Sequence, residues 1–213
     1  MKKIVLFNAL LMVLVSCFFI IYSGIAHSSH PAAAHPFKIS QFKVSKENIG
    51  LYGDYRSKWL RMSGFELSTL HWNQFVAIFV NQSSDVYRAN YIEYLRTSQD
   101  DYDEVDEEED EKGNVISKYK KYPPGTMLAK EGFNSHQGKP GDPTFLVIMK
   151  KHEAGYDTAN GNWEYMQFAV DGTSLLRGKG SDPAVMKLCA GCHTNVADRD
   201  YVFSSFFSGI ASH

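Results

Sequence analysis

Cysteine is scarce in this chain, with three residues in 213. Two of them, Cys189 and Cys192, stand three apart, and the third, Cys17, sits in an apolar leader. A second thiolate pair is therefore missing, and a four-ligand structural zinc site is disfavoured. Seven prolines and 16 glycines are too few for a fibrous or low-complexity protein. Strong positive charge is lacking as well: the net charge is −2, which gives no footing for nucleic-acid binding. No Ser/His/Asp nucleophile motif, phosphate loop or metal-hydrolase motif is present.

What the chain does have is 44% apolar and 14% aromatic content, enough for one sizeable core and one domain. It also has Cys189-Ala190-Gly191-Cys192-His193. Two cysteines at this spacing on one turn can each add sulfur across a haem vinyl group, and the histidine that follows faces the iron so positioned. The motif reads as a covalent c-type haem site, one haem per chain, with Cys189 and Cys192 as attachment points and His193 as proximal iron ligand. The alternative is a redox dithiol. That reading wants the pair near an early strand-to-helix junction, whereas Cys192 lies close to the C-terminus.

Charge is unevenly distributed. Ten of the 24 acidic residues fall between Asp100 and Glu111, and setting them aside shifts the balance from −2 to +8. The rest of the molecule is mildly basic, which partly offsets two haem propionates and suits an acidic redox partner. The acidic run lacks the glycine and ligand order of a calcium-binding loop. It reads as a solvated surface insertion at about 97–121.

Along the chain, Lys2 and Lys3 precede an apolar stretch over 4–26, which reads as an export signal. Three fates are open: cleavage near Ala26, retention as a membrane anchor, or lipidation at Cys17 in Leu14-Val15-Ser16-Cys17. At a rise of about 1.5 Å per residue the stretch is long enough to cross a hydrocarbon core of about 30 Å. Export to a bacterial periplasm agrees with the haem motif, since such attachment takes place outside the cytoplasm. Residues 27–36 read as a His/Ser/Ala/Pro spacer, and the folded domain is expected over 37–213. Asp54 is placed to cap a short helix carrying Tyr55, Trp59 and Leu60. The run from His71 to Asn81 reads as a buried strand. Ser83 or Ser84 caps a helix to about Leu95. Pro123-Pro124-Gly125 turns into a strand over 126–133, further strands fit 144–149 and 163–170, and Asp171-Gly172 is a hairpin signal. Asp182-Pro183 starts a last helix that delivers the haem motif.

This pattern excludes two familiar haem architectures. A small electron-transfer cytochrome c has its motif near the N-terminus and a downstream methionine ligand, but no methionine follows His193. A four-helix haem bundle would not contain several β-rich segments separated by Pro and Gly turns. The expected class is α+β: a mostly antiparallel sheet with a few helices, the C-terminal one bearing the motif.

Several blocks then fall into a recognisable order. They are Tyr55-Arg56 with Trp59, the run Tyr122-Pro123-Pro124-Gly125-Thr126-Met127-Leu128-Ala129-Lys130-Glu131, and Gly161-Asn162-Trp163. The Cys-Ala-Gly-Cys-His-Thr block ending at Thr194 and Asp200-Tyr201-Val202-Phe203 complete them. With these the chain resembles the cytochrome P-460 family, which includes cytochrome c′-beta, over roughly 54–207. The resemblance implies a homodimer enclosing a five-coordinate haem. In members that oxidise hydroxylamine, a lysine of the Gly-Thr-x-x-x-Lys-Glu strand is bonded to a carbon at the haem edge, and Lys130 matches it. On its own, Lys130 reads as a solvated strand lysine.

Two departures bear on activity. A distal carboxylate of the oxidising members maps near Leu146, Val147 or Ile148, all apolar, and a family arginine maps onto Phe79. A distal phenylalanine is similar to the nitric oxide-binding c′-beta branch, although Phe79 also fits ordinary core. Three functions follow as expectations. The first is oxidation of hydroxylamine to nitric oxide or nitrous oxide, with Glu131, Glu153, Asp142, His136 or His152 as a substitute base. The second is binding or sensing of nitric oxide in an apolar pocket. The third is plain electron transfer, which requires a strong sixth ligand such as His71, Met127, Met149 or Met166.

Overall fold

The computed structural model describes residues 42–98, 111–112 and 118–208. The leader at 1–26, the spacer at 27–36 and the acidic run at 100–110 lie outside the described residues. Among the described residues, no helix is long and apolar enough to cross a membrane.

The β-branched and aromatic runs form a seven-stranded antiparallel sheet. Its strands are β1 (Leu60–Arg61), β2 (Glu66–Ser68), β3 (Gln74–Val80), β4 (Met127–His136), β5 (Lys139–Lys151), β6 (Trp163–Phe168) and β7 (Ser174–Lys179). The order is β1-β3-β4-β5-β6-β7, with β2 also paired to β3. β4 and β5 are longer than expected, at 10 and 13 residues. Gln137 and Gly138 close them into a hairpin with φ of 50° and 74°, the left-handed pair that a two-residue turn requires. β7 was not expected, because Ser174 to Lys179 is largely exposed and carries a glycine.

Local helices are short. α1 covers Ile49–Tyr52, α2 Tyr55–Lys58 and α3 Asp85–Ser98. α2 stops earlier than the expected helix through Leu60. Trp59 is extended and buried, and Leu60 pairs with Val80 on the sheet. The sheet's demand for these two apolar side chains overrides helix continuation. Asp54 stands at the N-cap but makes no cap hydrogen bond; its carboxylate meets Lys58 Nζ at 2.6 Å instead. His71 belongs to a 3₁₀ turn over Thr69–His71, before β3 rather than in it.

Alternation divides the sheet into two faces. One carries Ile78, Val80, Leu128, Met149, Trp163 and Tyr165, which pack with Tyr87 of α3 and with Val185, Ala190 and Val202 of the C-terminal region. The other buries Phe79, Leu146, Ile148, Met166 and Phe168, with Tyr55 edge-on to Phe79 and Tyr52 against Phe168. The fold class is α+β, as the pattern of strands and turns indicated. The C-terminal helical segment begins at Pro183 after Asp182 and runs through Arg199. It crosses the first face and brings the cysteine motif to it.

Candidate functional site

The C-terminal segment changes pitch where the cysteines lie. It is α-helical over Pro183–Val185, π-helical over Met186–Ala190, α-helical over Gly191–His193 and 3₁₀ over Thr194–Arg199. Wide turns of this kind concentrate at functional sites. The Gly191 amide reaches the Met186 carbonyl, and a Cβ on Gly191 would lie 2.7 Å from that oxygen. Only glycine leaves room for the π turn inside the motif. Cys189 and Cys192 are both free thiols, the first half-buried and the second exposed. Burial pushes the Cys189 thiol up to about 11, against the pull of the Lys130 ammonium.

His193 is fixed by its other nitrogen. Its Nδ1 lies 2.7 Å from the Tyr201 carbonyl oxygen, which can only accept, so Nδ1 carries the proton and Nε2 keeps its lone pair for a metal. Burial, then the Lys130 ammonium, lowers the imidazole to about 4, against the Tyr201 hydrogen bond, which raises it. The Tyr165 and Phe203 rings stand edge-on to it, with centroids 5.5 and 5.3 Å away. The carbonyl is held by a left-handed pair, Asp200 and Tyr201, with φ of 53° and 64°. Two non-glycine residues in succession there are strained, so the surrounding contacts must impose the conformation.

Above this segment lie two adjoining recesses, open to the outside. His71, Val147, His193 and Phe203 line both. The first extends over Ile78, Leu128, Lys130 and Met149. The second reaches Tyr165, Gln167, Leu188, Cys189 and Cys192. The strand register explains the lining, since Lys130 pairs with Ile78 on one side and Val147 on the other. Cross-strand partners share a face.

Lys130 therefore lines the recess, half-buried. Burial lowers its ammonium to about 8, while the Cys192 and Cys189 sulfurs act in the opposite direction. Its Nζ is 3.3 Å from His71 Nε2. His71 Nδ1 is in turn 2.9 Å from Ser68 Oγ. Burial, then Lys130 and His193, pushes the His71 imidazole down to about 3, so it is neutral.

The donor set is two free thiols at thioether spacing, an imidazole with Nδ1 engaged, and apolar walls on a recess that reaches all three. These residues fit a haem. Other candidates fall elsewhere. Phe79 does not face the recess: its neighbour Ile78 does, and Phe79 packs on the opposite face against Tyr55, with the Arg61 guanidinium 5.9 Å from its ring centroid. A one-residue offset reverses the face of a strand side chain, which corrects the distal position expected for Phe79. Of the three residues at the missing carboxylate, Val147 lines the recess, whereas Leu146 and Ile148 are buried behind the sheet.

The substitute bases are also not in the recess. Glu131 is buried on the far face and accepts from Tyr55 and Arg56. Glu153, Asp142 and His136 are exposed. His152 sits 2.8 Å from Glu164 and stacks on Tyr156. Among the sixth-ligand candidates, His71 and Met149 line the recess. Met127 alternates with Leu128 and Lys130 away from it, and Met166 is buried on the far face. The proximity of His71 to Lys130 and the role of the Tyr201 carbonyl were not legible in sequence. Neither a turn histidine nor a backbone oxygen carries a pattern.

An α+β sheet carrying this donor set beside a lysine-lined recess defines a haem-binding protein. The family model described as Cytochrome P460 matches residues 85–204, more than half the chain, and the chain belongs to that family. A comparison with curated proteins returns no match.

Proposed function

We propose that the protein oxidises hydroxylamine to nitric oxide or nitrous oxide, as an exported c-type mono-haem protein. One haem joins Cys189 and Cys192 through thioethers, with His193 as proximal ligand. The observation that carries this reading is the Lys130 amine in the first recess, which shares His71, Val147, His193 and Phe203 with the adjoining recess lined by the attachment cysteines. An amine there is placed to bond to the haem edge, as in the hydroxylamine-oxidising members the sequence resembles.

Haem, when bound, supplies an open iron position and passes electrons from substrate to an acceptor protein. The residues do the rest. His193, anchored by Tyr201, keeps Nε2 directed into the recess. Lys130, held between Ile78 and Val147, restrains the ring from the sheet side and alters its electronics. Ile78, Leu128, Val147 and Met149 exclude water from the sheet side of the recess. The mildly basic surface outside residues 100–111 suits an acidic redox partner. The remaining partner and location assignments are a homodimer in a bacterial periplasm, either released by cleavage of the leader or held by it at the membrane.

A second reading, nitric oxide binding without turnover, is favoured by Val147 standing where a proton-accepting carboxylate would help. Peptide mass spectrometry of the exported holoprotein together with a hydroxylamine-dependent assay of acceptor reduction separates the two. A haem peptide that also carries the Lys130 fragment, with turnover, supports the oxidase. Linkage through sulfur alone, without turnover, leaves gas binding. A protein with no covalent haem overturns both.

A further inference from the structure

Two left-handed pairs border the recess. One, Asp200-Tyr201, holds the proximal histidine; the other, Trp72-Asn73, has φ of 57° and 56° and immediately follows His71. Neither residue of this second pair is a glycine, and such strain persists only where packing imposes it. The turn ends the 3₁₀ segment Thr69–His71 and starts β3. It leaves the His71 ring against Phe145 and Trp72, at centroid distances of 6.3 and 6.5 Å, lining the recess beside His193.

The tautomer of His71 follows from its two partners. An ammonium has donors and no acceptor, so Lys130 Nζ, 3.3 Å away, donates to Nε2. Nδ1 then carries the ring proton and donates to Ser68 Oγ at 2.9 Å. The neutral ring thus turns a lone pair, not an N–H, toward the recess. Resting on the function proposed above, we infer that His71 is a specificity residue whose Nε2 accepts a hydrogen bond from a protic nitrogen ligand and offers nothing to an aprotic one. With the Lys130 nitrogen committed to the haem edge, the Nδ1–H bond to Ser68 Oγ alone keeps this tautomer, and the Nε2 lone pair is then open to the N–H or O–H of hydroxylamine. Nitric oxide has no proton to give it. His71 thereby restores part of the polarity that Val147 removes from the recess.

The test is equilibrium binding to the ferric holoprotein, using hydrazine as a protic nitrogen probe and nitric oxide as an aprotic one. His71→Phe is expected to weaken hydrazine about three- to tenfold, the range of one ordinary hydrogen bond, and to leave nitric oxide within about twofold of the native value. His71→Gln, which retains an acceptor oxygen, is expected to keep most of the hydrazine affinity and serves if the phenylalanine variant does not load haem. Equal changes for both probes, no change for hydrazine, or Gln as weak as Phe overturns the inference. So does a six-coordinate low-spin native spectrum that becomes five-coordinate in His71→Phe, since His71 would then be an iron ligand. The contrast is read from binding whether or not hydroxylamine is turned over. Failure of the inference and failure of the oxidase reading are thus distinguishable.

Discussion

Lys151 Nζ lies 2.6 and 2.7 Å from the two carboxylate oxygens of Asp200, and both residues are buried. Asp200 Oδ2 also accepts the Tyr122 amide at 2.8 Å, and the Asp200 carbonyl accepts Trp163 Nε1 at 2.8 Å. The next residue is Tyr201, whose carbonyl holds His193. The pair therefore ties the end of β5 and the start of β6 to the strained turn behind His193.

Asp200→Asn keeps a side chain that tolerates the left-handed backbone but leaves Lys151 charged and buried. Breaking a buried pair in this way costs about 3–5 kcal/mol, readable as a lowered denaturation midpoint. The iron–histidine stretching frequency should shift as well, because the Tyr201 carbonyl loses its restraint. An unchanged frequency would show that the turn does not depend on the ion pair.

Phe79→Ala separates stability from function. Phe79 is buried behind the sheet, away from the recess, so its truncation should cost about 3–5 kcal/mol as cavity formation. Haem absorption and nitric oxide affinity should remain at their native values. A shift in either would return Phe79 to the distal site.

Val147→Glu places a carboxylate in the recess beside Lys130, its register partner. Hydroxylamine-dependent acceptor reduction should rise by up to about a hundredfold, the lower end of what a positioned base contributes. Leu146→Glu puts the same group on the far face, where Leu146 is fully buried. It should lower stability with no gain in rate.

Glu164 gives a pH dependence. Burial raises its carboxyl, but hydrogen bonds from His152 and Arg177 outweigh this and set it below the usual 4.5. A group lowered on folding stabilises above its unfolded value and loses that contribution as pH falls through the folded one. The native protein should thus lose stability in acid below about pH 4.5, and Glu164→Gln should flatten that part of a stability–pH curve. A variant with the native acid slope would assign the loss to other carboxylates.

The haem class was legible in the chain. Cys189, Cys192 and His193 fall within five residues, so their spacing alone points to it. The sheet was legible as well, through β-branched runs and Pro/Gly turns. Where the fold overruled local signals, the cause was tertiary: Trp59 is extended and buried, and Leu60 pairs with Val80 on the sheet instead of continuing the helix.

Face was a property that strand sequence could not assign. Lys130, Phe79 and Val147 lie on runs where both sides are apolar, so alternation gives two equivalent answers. Only pairing against β3 and β5, and the passage of the C-terminal segment over one side, turns Lys130 and Val147 inward and Phe79 away. The sequence by itself determined a haem protein's motif, with two cysteines and a histidine in one short block, in a chain of the Cytochrome P460 family. The tertiary structure decided which residues line the recess beside His193, because a side chain's neighbours across a sheet depend on register, and register is set by the whole fold.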